Sequence, residues 1–213
     1  MRRALRENNH RTGWHPIPRS VLPREFYARD TLTVARELLG QRLVRLLAGE
    51  RLSGRIVEVE AYIGETDQAS HAACGRTARN AVMYGPPGHA YVYFIYGMHH
   101  CLNVVTEGEG FPAAVLIRAL EPVEGLVTMR RLRRGRPDHE LTNGPARLCQ
   151  ALAIDRAFNG LDLCAGGPLF IESDLPVDDE EVKTGPRVGV RGDEAALTAP
   201  WRFWVWDNPF VSQ

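Results

Sequence analysis

The stretch from Ala90 to Thr106, AYVYFIYGMHHCLNVVT, constrains the fold more than any other part of the chain. Its first half is aromatic and β-branched, and a period of two puts Tyr91, Tyr93 and Ile95 on one face and Val92, Phe94 and Tyr96 on the other. His100 to Thr106 alternates in the same way. Between the two runs, Tyr96-Gly97-Met98-His99 supplies a glycine for a tight turn, so the segment predicts a β-hairpin with Tyr96 and Met98 at its exposed tip. Two readings of that tip stay open: an aromatic packed on a neighbour in an ordinary core hairpin, or a surface element that touches a ligand.

The 213 residues, 44% of them hydrophobic, suffice for one well-buried domain with at most a tail. Residues 1 to 20, polar and basic with Pro16 and Pro18, read as a poorly ordered tail, and 21 to 213 as the domain, with the fold beginning near Pro23. No apolar run reaches the roughly 18 residues of a membrane span, and the N-terminus lacks a secretory h-region. No membrane association is expected, and a bacterial member would be cytoplasmic and nucleoid-associated. Cys74, Cys101, Cys149 and Cys164 are widely spaced, which favours reduced thiols. A net charge of zero argues against an indiscriminate polycation. The arginines at 130, 131, 133, 134 and 136 and the acidic run from Glu172 to Glu181 read as solvated surface.

Along the chain, TLTVARELLGQ from Thr31 predicts a short helix with a Thr cap and Gly40 as its stop. Gln41 to Leu47 reads as a strand. After the turn at Ala48-Gly49-Glu50, SGRIVEVEAYIG alternates Ile56, Glu58, Glu60 and Tyr62 against Arg55, Val57, Val59 and Ala61. Gly64 to Gly88 is a long aperiodic loop of the kind that is functional or disordered. AAVLIRAL is an apolar strand interrupted by Arg118, a charge that needs a partner. Glu124 to Arg134 and Gly144-Pro145 to Ile154 suit helices, and Gly185 to Val190 and Trp201 to Trp206 read as late strands. The expected fold class is α+β: one domain around a curved, mostly antiparallel sheet with flanking helices and a protruding hairpin.

Glu60 is the first candidate for chemistry, because a strand fixes its carboxylate. Glu58 and Tyr62 share its face, with Cα atoms two residues apart separated by roughly 6.5 Å. Two such carboxylates can form an acid/base pair or line a wet surface. Arg118 tips the balance, since it can neutralise Glu60 or hold a water against it. Tyr62, His71 and Tyr93 form an aromatic set suited to stacking a flat ligand, most strongly an electron-poor or cationic one. Asn103 can read a ligand edge or simply satisfy the sheet. An aromatic on a rigid β tip can enter a base stack, and enzymes that act on a base must first turn it out of the helix, which suits Tyr96 with Met98 beside it. Arg76, Arg79, His99 and Arg147 are then candidate phosphate contacts.

The blocks RIVEVEAYIGETDQASH, AYVYFIYGMHHCLNV, AAVLIRALEPVEG, TNGPARLCQALAI and RVGV resemble those of the mammalian-type 3-methyladenine (alkyladenine) DNA glycosylases, in order and over nearly the whole chain. The resemblance implies a monofunctional enzyme that excises alkylated or deaminated purines from double-stranded DNA, with no cofactor and no catalytic metal. Position by position, Glu60 matches the general base that activates the attacking water, and Arg118 and the Val188 carbonyl match groups that hold that water. Tyr62, His71 and Tyr93 match the stacking walls, Asn103 the residue that crowds the 2-amino group of guanine, and Tyr96 the intercalating wedge. His99 departs from an aromatic and Arg147 from a lysine in the mammalian pattern.

The resemblance implies a monomer. Lys183, the only lysine, lies outside every matching block, so no Schiff-base nucleophile is expected. Three other readings compete: a non-catalytic base-flipping or damage-sensing module, a carbohydrate glycosidase using Glu58 and Glu60, and a metal site at His99, His100 and Cys101.

Overall fold

A computed structural model describes residues 19–95 and 97–212 as one α+β domain. The first eighteen residues, Tyr96 and Gln213 lie outside the described residues, and with them most of the expected tail and the expected wedge. The ordered fold starts earlier than Pro23. Val21 bridges Glu172 and the Ser173 N–H donates to the Ser20 carbonyl, so this segment already lies against the sheet.

The chain enters through a single helical turn, α1 (Arg24–Tyr27), and a helix, α2 (Thr31–Leu38). Asp30, not Thr31, caps α2 by accepting from the Thr33 N–H at 2.8 Å; the Thr31 hydroxyl is drawn away to Glu107 and Thr106. Val34, Ala35 and Leu38 bury one stripe of this helix on the sheet. The strands then follow as β1 (Arg42–Leu47), β2 (Glu50–Ile63), β3 (Ala90–Ile95), β4 (His99–Val105) and β5 (Ala113–Glu124). Helices α3 (Leu126–Leu132) and α4 (Pro145–Ala151) pack on the sheet before β6 (Leu169–Glu172), β7 (Val182–Gly185), the short α5 (Glu194–Thr198) and β8 (Arg202–Val205).

The eight described strands make one antiparallel sheet in the order β3-β4-β5-β2-β1-β6, with β8 joining β2 and β7 joining β8. The central strand β2 exchanges partners along one edge. Its first half pairs with β1 and residues Glu58–Glu60 pair with β8, while β5 covers the other edge from Ser53 to Ile63. The change of partner coincides with two slips in the β2/β5 register, which leave Val57 on one strand and Arg118 on the other without a facing residue. Such bulges bend a strand and re-aim its side chains, and here the re-aimed side chain is Arg118.

The hairpin forms as expected, with Ile95 opposite His99 and Gly97 at φ +70° in the turn. Ala90, Val92, Leu102 and Val104 enter the main core. Phe94, on the same face as Val92, is 41% exposed beside His100. The long 64–88 loop is ordered. It carries 3-10 turns at His71–Cys74 and Ala81–Tyr84 and closes a second small core of Ala72, Met83, Tyr84, Tyr91, Val105 and Ala114.

Residues 186–190 do not form a strand. Pro186 has no N–H to give a ladder, Gly189 takes φ +67°, and the Val188 N–H is turned inward to a side chain. Among the described residues no helix is long and apolar enough to cross a membrane. The acidic run is not wholly surface, since Glu172 is buried and accepts from Arg51.

Candidate active site

Three segments far apart in sequence supply the donors around Glu60, whose side chain is fully buried. Its Oε1 accepts from the Val188 N–H at 2.7 Å and lies 3.0 Å from Arg118 Nη1, and its Oε2 accepts from the Tyr62 hydroxyl at 2.8 Å. A carboxylate offers about four lone-pair directions; hydrogen bonds take one on each oxygen and the Arg118 ion pair stands against Oε1, so Oε2 keeps a direction uncommitted. The resemblance assigns the Val188 carbonyl to the water; the Val188 N–H is the group bonded to Glu60 itself.

Arg118 is held from behind. Its Nε donates to Glu58 at 2.8 Å and its Nη2 to the Ser212 hydroxyl at 3.0 Å. Glu58 also accepts from Arg202 Nε and from the Ser212 N–H and hydroxyl. Burial alone would lower the Arg118 pKa, but Glu60 and Glu58 outweigh it and raise the value. Glu58 thus accepts four hydrogen bonds and does not line the cavity, which removes the paired-carboxylate glycosidase reading.

Glu60 opens on a cavity of about 550 Å³ that Tyr62, His71, Tyr93, Asn103, Arg118 and Val188 also line, with His99 at its rim, so eight of the sequence candidates meet in one place. The walls come from the period-two face of the hairpin, Tyr91, Tyr93 and Ile95, and from residues 68–71 of the long loop. The rings of His71 and Tyr93 meet edge to face, with centroids 4.5 Å apart. His71 Nδ1 is 2.8 Å from the Tyr91 hydroxyl, and burial, then Arg79, lowers the imidazole pKa. Burial, reinforced by Glu60, raises Tyr62 well above the ordinary phenol value; burial, reinforced by Cys101, does the same to Tyr93. Both rings are therefore neutral. Asn103 donates Nδ2–H to the Tyr91 carbonyl at 3.0 Å, which fixes the amide against the wall.

Most of the outer candidates sit apart. His99 is exposed at the cavity rim and Met98 is 69% exposed at the hairpin tip. Arg76 and Arg79 lie over the Tyr84 and Tyr93 rings, and Arg147 donates to Asn143. None of Arg76, Arg79, Arg147 and Met98 reaches the cavity.

Sequence reasoning missed the clamp that holds the Val188 segment. Arg187 is buried, makes a bidentate pair with Asp67 at 2.6 and 2.8 Å, and donates to the Ala61 and Ala196 carbonyls. Its guanidinium is 4.8 Å from the Tyr62 ring and 4.9 Å from the Trp201 ring. The signal was present as the arginine of RVGV and the aspartate of ETDQASH, but nothing local pairs them. Gln68 and Arg191 also line the cavity and were not anticipated. Among the described residues, no group of three His, Cys, Asp or Glu side chains is arranged to hold a metal ion.

The family model described as methylpurine-DNA glycosylase matches residues 25–209. A relative from Methanocella arvoryzae is 55% identical over 194 residues, covering 91% of this chain and 96% of its own. One from Streptomyces avermitilis is 54% identical over 198 residues, covering 91% and 92%, and one from Carboxydothermus hydrogenoformans is 51% identical over 193 residues, covering 91% and 99%. All three carry the provisional name 3-methyladenine DNA glycosylase.

Proposed function

This chain belongs to the methylpurine-DNA glycosylase family, and we propose that it turns damaged purines out of double-stranded DNA and hydrolyses their glycosidic bond. The substrates in this reading are alkylated or deaminated purines: 3-methyladenine, 7-methylguanine, ethenoadenine and hypoxanthine. The observation that carries it is Glu60, a buried carboxylate with one uncommitted lone-pair direction at the end of an aromatic cavity.

The purine stacks between Tyr62 and the His71/Tyr93 pair. A water held by Arg118 and the Val188 carbonyl loses a proton to Glu60 Oε2 as its oxygen bonds to C1′. The C1′–N bond breaks and its electron pair leaves with the purine. The products are free base and an intact abasic site. Tyr96, aided by Met98, fills the gap left by the base, and Arg76, His99 and Arg147 contact phosphates. Asn103 excludes guanine by crowding its 2-amino group. One Asn103 N–H is donated to the Tyr91 carbonyl, which holds the amide in place, and the exclusion is steric. The protein acts as a monomer, in the cytoplasm at the nucleoid, and needs no cofactor.

Lys183 lies on β7 with its ammonium 5.6 Å from the Trp206 ring, away from the cavity, and supplies no amine for a lyase step. The test is release of hypoxanthine, ethenoadenine and 7-methylguanine from duplexes by the wild type and Glu60→Gln. The variant should lose on the order of a hundredfold or more in rate. Equal rates overturn the mechanism, as does a protein–DNA adduct trapped by borohydride. Binding of lesion duplexes without release by the wild type would favour the damage-sensing alternative.

A further inference from the structure

Both aromatic walls of the cavity are backed by an arginine that does not itself reach the cavity. Arg187 lies 4.8 Å from the centroid of the Tyr62 ring, and Arg79 lies 5.8 Å from that of Tyr93. The two are electrically unlike. Arg187 is buried in a bidentate pair with Asp67, so its charge is largely cancelled. Arg79 is exposed, and among the described residues it has no acidic partner; its one hydrogen bond runs to the Phe94 carbonyl at 3.5 Å.

A cation over one face of a ring draws on the same π density that would attract a cation at the other face. It also repels that second cation directly. Purines damaged by alkylation and by deamination differ in this respect: a 7-alkylated guanine in DNA carries a positive charge, whereas hypoxanthine is neutral and of similar outline. Stacking on an unbacked tyrosine would favour the charged base.

We propose that Arg79 is a specificity-determining residue that lowers the preference of the cavity for cationic purines, bringing neutral lesions closer to parity with charged ones. The inference rests on the base-excision reading above. His71, whose ring touches Tyr93, supports it: burial and then Arg79 keep this second wall residue from acquiring a charge of its own. Glu60 does not oppose the effect, because Arg118 stands against it and Glu58 against Arg202.

The experiment measures competitive binding and single-turnover release for duplexes carrying 7-methylguanine or hypoxanthine, with the wild type, Arg79→Gln and Arg79→Lys. Arg79→Gln should raise the ratio of 7-methylguanine to hypoxanthine, in binding and in release, by about two- to fivefold, the range of a partly exposed cation–π contact. Arg79→Lys retains the charge and should stay close to the wild-type ratio. An equal loss on both substrates would make Arg79 a phosphate contact only and overturn the inference, as would an unchanged or falling ratio. A wild type that binds both lesions but releases neither defeats the hydrolytic reading alone, and the binding ratio still decides the role of Arg79. A wild type that neither binds nor releases them overturns both.

Discussion

The Tyr62 hydroxyl donates to Glu60 Oε2 at 2.8 Å, from a position two residues further along the same strand. One residue thus supplies both a wall of the cavity and a restraint on the carboxylate. Tyr62→Phe separates the two jobs, since it keeps the ring and deletes the donor. A hydrogen bond to a charged group contributes roughly 1.5–3 kcal/mol, so the release rate should fall by about tenfold or more while lesion-duplex binding changes little. Single-turnover kinetics checks this; an unaltered release rate would show that the phenol does not restrain the base.

Arg118 stands between two fully buried carboxylates, and Arg118→Ala would leave both facing each other with one cation removed. Breaking a buried pair in this way costs roughly 3–5 kcal/mol, visible as a lower urea midpoint. Adding Glu58→Gln to Arg118→Ala should return part of that loss, because it removes one of the stranded charges. A double variant no more stable than the single one would locate the strain elsewhere.

His71 gives a pH dependence of defined sign. Its folded-state pKa is lowered from the ordinary 6.5, first by burial and then by Arg79. The unfolded chain therefore takes up the proton first as pH falls. The His71 contribution to stability is complete above about pH 6.5 and declines below it, towards the folded-state value. Urea denaturation at several pH values between about 7.5 and 5.5 should show a smaller loss for His71→Gln than for the wild type. Identical slopes would mean that His71 titrates alike in both states.

Asn103 is tied to the Tyr91 carbonyl and cannot swing out of the way of a bulky base. Asn103→Ser shortens the side chain and opens that space, so release of undamaged guanine should rise by several-fold, with hypoxanthine release little altered. High-performance separation of the released bases reads both at once. Guanine release at the wild-type level would remove Asn103 from the selection step.

Sequence pattern revealed much of this site because its walls come from strands. Period two correctly grouped Tyr91, Tyr93 and Ile95, and it put Glu58, Glu60 and Tyr62 on one strand within reach of Arg118. What it did not reveal depends on contacts between distant segments. Glu58 shares the strand face of Glu60, yet it is bonded to Arg118, Arg202 and Ser212, and only Glu60 faces the cavity. Residues 186–190 looked like a strand, but Glu60 claims the Val188 N–H and Asp67 claims Arg187. The cap of α2 moved by one residue because Glu107, 76 positions away, binds Thr31. Propensity sees none of these partners.

The exchange of partners along β2 bears on motion as well as on geometry. Glu60 lies where β5 covers one edge of its strand and β8 the other, so its backbone cannot fray without separating three strands. Amides around Val59 and Ala61 should therefore exchange with solvent only in openings close to global unfolding, while those at the hairpin end, on the outermost strand, exchange through cheaper local ones. The carboxylate is anchored in the slowest part of the molecule and the tip belongs to a faster one. Adjustment at the rim then need not loosen the Glu60 carboxylate.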